Sequence, residues 1–283
     1  MESGMKKLLL SLVLSLGALS AAPVMAAAPT FSASQMAQVK IKDLSFKEIM
    51  RQFYNDQMFD VHIDNKEDIP DIGLRKDNDS AGETVDLMRP VIPYKNTAGE
   101  DRYLIIIEKT QVSDGEIDSC HICKATADLY SFKKLKNGLF QLVSRTPKNV
   151  EESGSNGSAG LYAEDIKKGL QPLGKNLVGS VFTNFYMGQG ARDDWWKALH
   201  LPENDFINVY YVGDAGSSNE RYDEDSPLYY GYEGTLKVLS DNTTYYPIML
   251  TYKGEKPTED YERIEHINYS KVMKFNPIKK AYE

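Results

Sequence analysis

The only two cysteines of the 283-residue chain stand three positions apart, in Cys120-His121-Ile122-Cys123. A Cys-x-x-Cys pair can be a structural clip, a redox centre or half of a metal site. In redox folds the pair opens a helix after a buried strand, and the helix N-terminus lowers the thiol pKa. Here residues 112–119 are polar and include Gly115, and Lys124 to Asp128 lead into an alternating strand. That context is missing. Lys124 stands where a c-type haem attachment needs histidine. Cys120, His121 and Cys123 are soft ligands suited to zinc or copper(I), yet His62, His200 and His266 fall in no ligand-spaced motif. A local Cys120–Cys123 disulfide is the leading expectation, with a redox or metal role for Cys120, His121 and Cys123 as the alternative.

Other catalytic patterns fail on individual residues. The Gly/Ser-rich segment 153–160 lacks Gly-x-Ser-x-Gly, because Asn156 occupies the position of the first glycine before Ser158. His200-Leu201-Pro202-Glu203 lacks the helix that a His-Glu-x-x-His site requires. Asp77-Asn78-Asp79 begins like a calcium loop, then meets Ala81 at a ligand position and Met88 in place of the bidentate glutamate. Asp193-Asp194 and Asp223-Glu224-Asp225 invite a glycosidase reading, which needs two carboxylates facing each other across a bond. Trp195, Trp196, Tyr229, Tyr230 and Tyr232 are candidates for an exposed stacking surface, although cross-strand packing competes for the same rings. The reading names no catalytic residue and no cofactor.

The elements that position these residues are mostly strands. Residues 44–54 place Phe46, Ile49, Met50, Phe53 and Tyr54 on one helical face, with Ser45 as N-cap and Glu48 three residues on. Residues 88–93 are extended but interrupted by proline, which suits a sheet edge. The run 102–109 reads as a central strand. Residues 129–134 and 139–145 flank Asn137-Gly138, a hairpin signal, and 163–170 reads as a short helix. Six further strands are predicted over 179–186, 195–201, 206–212, 232–239, 245–252 and 263–275. Turns are expected at 188–190, 202–205, 213–216 and 240–242. The fold class is therefore mostly β (α+β), an antiparallel sheet or sandwich with a short N-terminal amphipathic helix.

Lys6-Lys7, the uncharged run 8–22 and the small residues Ala26 to Ala28 have the layout of a secretory signal peptide. It is expected to occupy residues 1–26, with cleavage after Ala26 or Ala28. An N-terminal helix and acidic irregular segment (27–84) and a β-rich domain (85–283) follow. No later run reaches membrane-spanning length. Removing Glu2, Lys6 and Lys7 moves the formal charge from −8 to about −9. Acidity argues against nucleic acid and leaves room for a basic partner. The implied location is a bacterial periplasm.

Cys120-His121-Ile122-Cys123, the 153–160 segment, Leu173-Gly174 and Gly188-Gln189-Gly190 together resemble a group of exported bacterial proteins of unassigned function. That group carries Cys-His-x-Cys before a β-hairpin, usually with alanine where Ile122 stands and often with proline after the second cysteine. The resemblance spans roughly residues 85–283 and implies a mostly β periplasmic protein without an assigned reaction. The leading functional expectation is a non-enzymatic binding or interaction protein of the cell envelope that neutralises a toxin or inhibits an enzyme. The alternatives are a thiol-disulfide or metal-handling protein and a cell-wall polysaccharide-binding or hydrolytic protein. The sequence leaves oligomeric state open.

Overall fold

Two short helices begin the architecture in the computed structural model, which describes residues 30–64, 72–74, 83–123, 125–147, 152–153, 156–223, 225–258, 260 and 262–283. The helix α1 (Ala33–Gln38) is capped by Ser32, whose side chain accepts from the Gln35 amide. It is not among the predicted elements, since six residues carry less than two turns of periodicity. The two-residue strand β1 (Lys40–Ile41) leads to α2 (Phe46–Phe53), which forms as its spacing predicts. Ser45 Oγ accepts from the Glu48 amide at 3.4 Å, satisfying one of the unpaired amides of the first turn. Its apolar face buries Ile49 and Met50, and Phe53 stacks on Tyr130 with ring centroids 4.1 Å apart.

After the ribbon of β2 (Met58–Asp60) and β3 (Ile72–Leu74), an eight-stranded antiparallel sheet forms. It contains β1 together with β4 (Glu83–Met88), β5 (Ile92–Lys95), β6 (Asp101–Ser113), β7 (Glu116–Ile117), β8 (Ala125–Lys134), β9 (Phe140–Arg145) and β10 (Glu152–Ser153). The apolar run in β6 is central, as expected, because both its faces are covered. Leu104 and Ile106 point into a core shared with a second sheet, while Ile105 and Ile107 point into a core formed with the two helices. Pro90 breaks the edge into β4 and β5, which pair with successive stretches of β6. The β8–β9 hairpin closes through a three-residue loop. Leu135 donates its amide to Leu139 O, and Gly138 takes the left-handed φ of +88°.

The helix α3 (Ala163–Lys168) precedes a seven-stranded antiparallel meander in sequence order. Its strands are β11 (Leu170–Gly174), β12 (Leu177–Gly188), β13 (Ala191–Leu201), β14 (Asn208–Ser218), β15 (Gly231–Val238), β16 (Ile248–Pro257) and β17 (Ile264–Met273). All six predicted C-terminal strands are present. The β12–β13 hairpin turns on Gln189 and Gly190, both with positive φ, the two-residue geometry that follows strand twist. The turn expected at 213–216 is not one: β14 runs through it, and its glycines sit beside two register shifts against β13. Glycine in a strand often marks a bulge rather than a break. Beyond it, β14 pairs with β15 only over Gly216–Ser218. Side chains from both halves of the meander, among them Val181, Ala198, Ile248 and Leu250, meet in a further core. A last ribbon, β18 (Phe275–Asn276) with β19 (Ala281–Tyr282), follows.

Phe31–Glu283 form one compact unit. The shared core joins Leu104, Ile106 and Leu129 of the first sheet to Phe182, Leu199 and Leu201 of the second. No described helix is long and apolar enough to cross a membrane. The expected signal segment and the cleavage positions Ala26 and Ala28 lie outside the described residues. So do the calcium-like residues 77–82 and, within the acidic irregular part of 27–84, residues 65–71 and 75–82.

Candidate functional site

The Cys120 and Cys123 sulfurs lie 2.12 Å apart, at disulfide distance. The turn between them is closed by a hydrogen bond from the Cys123 amide to Cys120 O at 2.9 Å. It leads into the strand β8, with no helix to depress a thiol pKa. As a disulfide, neither sulfur is a thiolate able to ligate a metal. Among the described residues no group of three His, Cys, Asp or Glu side chains could hold one. The clip presents His121 and Ile122 to solvent, and Ile122 is 86 % exposed.

The clip touches the segment 156–160. His121 Nδ1 lies 3.1 Å from Asn156 Oδ1, Cys123 O accepts from the Gly157 amide at 3.0 Å, and the His121 and Tyr186 rings meet edge to face. Gly157 is required here. Its φ is +68°, and a Cβ would stand 2.1 Å from Asp118 O. The other end of the segment is fixed from β6. Buried Glu108 accepts from Ser158 Oγ at 3.0 Å and from the Ala159 amide at 2.6 Å through one carboxylate oxygen. Its other oxygen pairs with Arg89. A buried carboxylate is tolerated only with such partners. Glu108 and Arg89 were not site candidates in the sequence, although a glutamate inside an apolar strand is the signal that could have found them.

The segment held in this way walls a cleft of about 490 Å³ where the shared core ends. Its floor comes from β12 and β13. Asn184 and Trp195 are cross-strand partners there, as are Phe182 and Lys197. With the Asn184 amide oriented to satisfy both ends, its nitrogen donates to Gly160 O at 2.8 Å and its oxygen accepts from Lys197 Nζ at 3.3 Å. Gly160, at φ +68°, lies so close to Asn184 that a Cβ would collide with the amide. Arg192 at the rim stacks over Phe185 at 4.7 Å and forms a two-point ion pair with Asp194 at 2.9 Å.

Trp195 also borders a second cleft of about 290 Å³, lined by Asp193, Asp214, Tyr211, Tyr230 and Tyr232 among others. Tyr211 donates to Asp214 at 2.6 Å, and Ser217 donates to Asp193 at 2.7 Å. Burial, and then the Asp214 charge, push the Tyr232 and Tyr252 hydroxyls well above the ordinary tyrosine pKa, so both stay neutral. Lys256 and Lys271 place their ammonium groups 5.4 and 5.3 Å from the Tyr232 and Tyr252 rings.

The five aromatic candidates therefore separate. Trp195 borders both clefts, Tyr230 lines the second, and Tyr229 lines a neighbouring groove with Tyr232. Trp196 turns to the opposite face, packs against the core and donates its indole N–H to Gly234 O at 3.1 Å. Tyr232 is a core residue at 9 % exposure rather than an exposed ring. Strand alternation separates the Trp pair, and it separates Asp193 from Asp194 in the same way. His200 sits apart, packed among Tyr210, Tyr245 and Phe275 and 2.8 Å from Tyr282 OH. No protein-family model, curated protein or solved structure matches the chain.

Proposed function

We propose that this chain is an exported, non-enzymatic binding protein of the bacterial cell envelope. It engages a basic protein partner at the Tyr211–Asp214 cleft, as a toxin-neutralising or inhibitor-like protein would. The observation that carries this reading is the convergence of the Asp193 and Asp214 carboxylates with the rings of Trp195, Tyr211 and Tyr230. An arginine or lysine gains from both, because carboxylates attract its charge and aromatic faces attract cations. Lys256, which itself lines the cleft, and Lys271 make the same interaction within the chain on the Tyr232 and Tyr252 rings. Export rests on the signal-like layout of residues 1–28, and the net charge of about −9 expected after cleavage favours encounter with a basic protein.

Site-specific photocrosslinking from position 211 in periplasmic extract tests the reading. A single basic protein should be captured, with capture weakened by Asp214→Asn and by raised salt. A pattern identical to that from exposed Lys47 on α2 would refute it.

A further inference from the structure

We infer that the cleft between segment 156–160 and the Asn184–Trp195 pair is a saccharide-binding site that takes a pyranose ring against Trp195. This inference stands independently of the basic-partner reading, which concerns the other side of Trp195. Four observations carry it.

The first is shape: about 490 Å³ lies within the roughly 300–1,000 Å³ range of small-molecule sites. The second is that aromatic and hydrogen-bonding groups face one space. Trp195 and Tyr162 supply rings, while Asn156, Asp165, Asn184 and Lys197 supply polar groups of both donor and acceptor kinds. A pyranose needs that combination. Its C–H face is apolar and weakly positive, so it lies on the negative face of an indole. Each of its ring hydroxyls both donates and accepts.

The third observation is charge. Arg192 is engaged by Asp194, and Lys197 bonds to the Asn184 amide, so the cleft offers polar contacts without a strong net field. Phosphate recognition would call for clustered cations aimed at one point. Among the described residues Asp165 is the single carboxylate lining the cleft, whereas glycoside hydrolysis calls for a facing pair. The arrangement suits holding a sugar rather than cleaving it.

The fourth is pre-organisation. The Cys120–Cys123 clip, the Glu108–Arg89 pair and two left-handed glycines hold the wall in one conformation before any ligand arrives. A rigid wall lowers the entropy cost of binding.

The chain has two tryptophans, so Trp196→Phe leaves Trp195 as the only indole reporter. This variant and the parent chain are titrated with trisaccharides of N-acetylglucosamine, glucose and galacturonic acid, following fluorescence and calorimetry. At least one should give a saturable change with Kd below about 1 mM. Asn156→Ala and Asp165→Ala should each weaken it about three- to tenfold, Trp195→Ala should abolish it, and Lys47→Ala, on the exposed side of α2, should leave it unchanged. Trp195→Phe, which keeps a ring, should bind within a few-fold of the parent and serves if the alanine variant does not fold. Silence from all three sugars with folded parent chain overturns the inference, as does undiminished binding by a folded Trp195→Ala.

Discussion

His200 is a buried imidazole that neither binding reading uses, and its environment gives it a measurable consequence. Burial lowers its pKa from 6.5 to about 3, so the folded chain holds it neutral across the physiological range. The unfolded chain takes up a proton near pH 6.5, whereas the folded chain refuses that proton until about pH 3. Stability is therefore whole above pH 6.5, falls by about 1.4 kcal/mol per pH unit below it, and levels out once the folded imidazole also titrates. His200→Gln keeps a polar neighbour for Tyr282 OH and cannot titrate. Between pH 7.5 and 5.0 in urea unfolding, the variant should lose about 2 kcal/mol less than the parent. Parallel losses would mean that the folded imidazole takes up its proton at the same pH as the unfolded one. Nothing local to His200 signals this burial. His200 occupies a strand position that Tyr245, and then Phe275 and Tyr282 of β18 and β19 more than seventy residues later, close over.

Most elements were legible because their signals are local. Ser45 with Glu48, the period of α2, Asn137-Gly138 and the alternation of β12 to β17 each act within a few residues. Misreadings arose where a local signal met a tertiary demand: Gly213 and Gly216 look like turn residues, yet they relieve a strand packed closely against β15 and β16. The clip was legible as a disulfide, but its contact with segment 156–160 was not, since nothing in either stretch encodes their meeting. Its role can be measured at this scale. Linking residues three apart contributes at most about 2 kcal/mol by chain entropy. Reduction with a small dithiol should therefore leave the fold intact while freeing the Gly157 amide from Cys123 O. Hydrogen exchange should accelerate at residues 118–123 and 156–160 and stay unchanged in β6 and β13. Unchanged exchange at Gly157 would mean that Glu108 alone fixes the wall.

At the scale of the whole molecule, the two sheets share one core, so neither can lose its side chains without uncovering the other. Leu104, Ile106 and Leu129 cover the inner face of the first sheet by contact with Phe182, Leu199 and Leu201 of the second. Trp195 and Trp196 both lie on β13, so tryptophan emission reports on the second sheet alone, whereas far-UV circular dichroism reports on both. Phe132 lies on β8, fully buried in the core between the first sheet and the helices, away from either tryptophan. Phe132→Ala should cost about 3–5 kcal/mol through lost burial and the cavity left behind. If the shared core couples the sheets, its denaturation midpoint should fall equally by emission and by circular dichroism. Leu199→Ala, cut from the shared core itself, should behave alike with a loss of about 2–5 kcal/mol. Chains of this length can depart from two-state unfolding, so the outcome is not guaranteed by size. An emission transition left in place while circular dichroism moves would show the second sheet standing without the first.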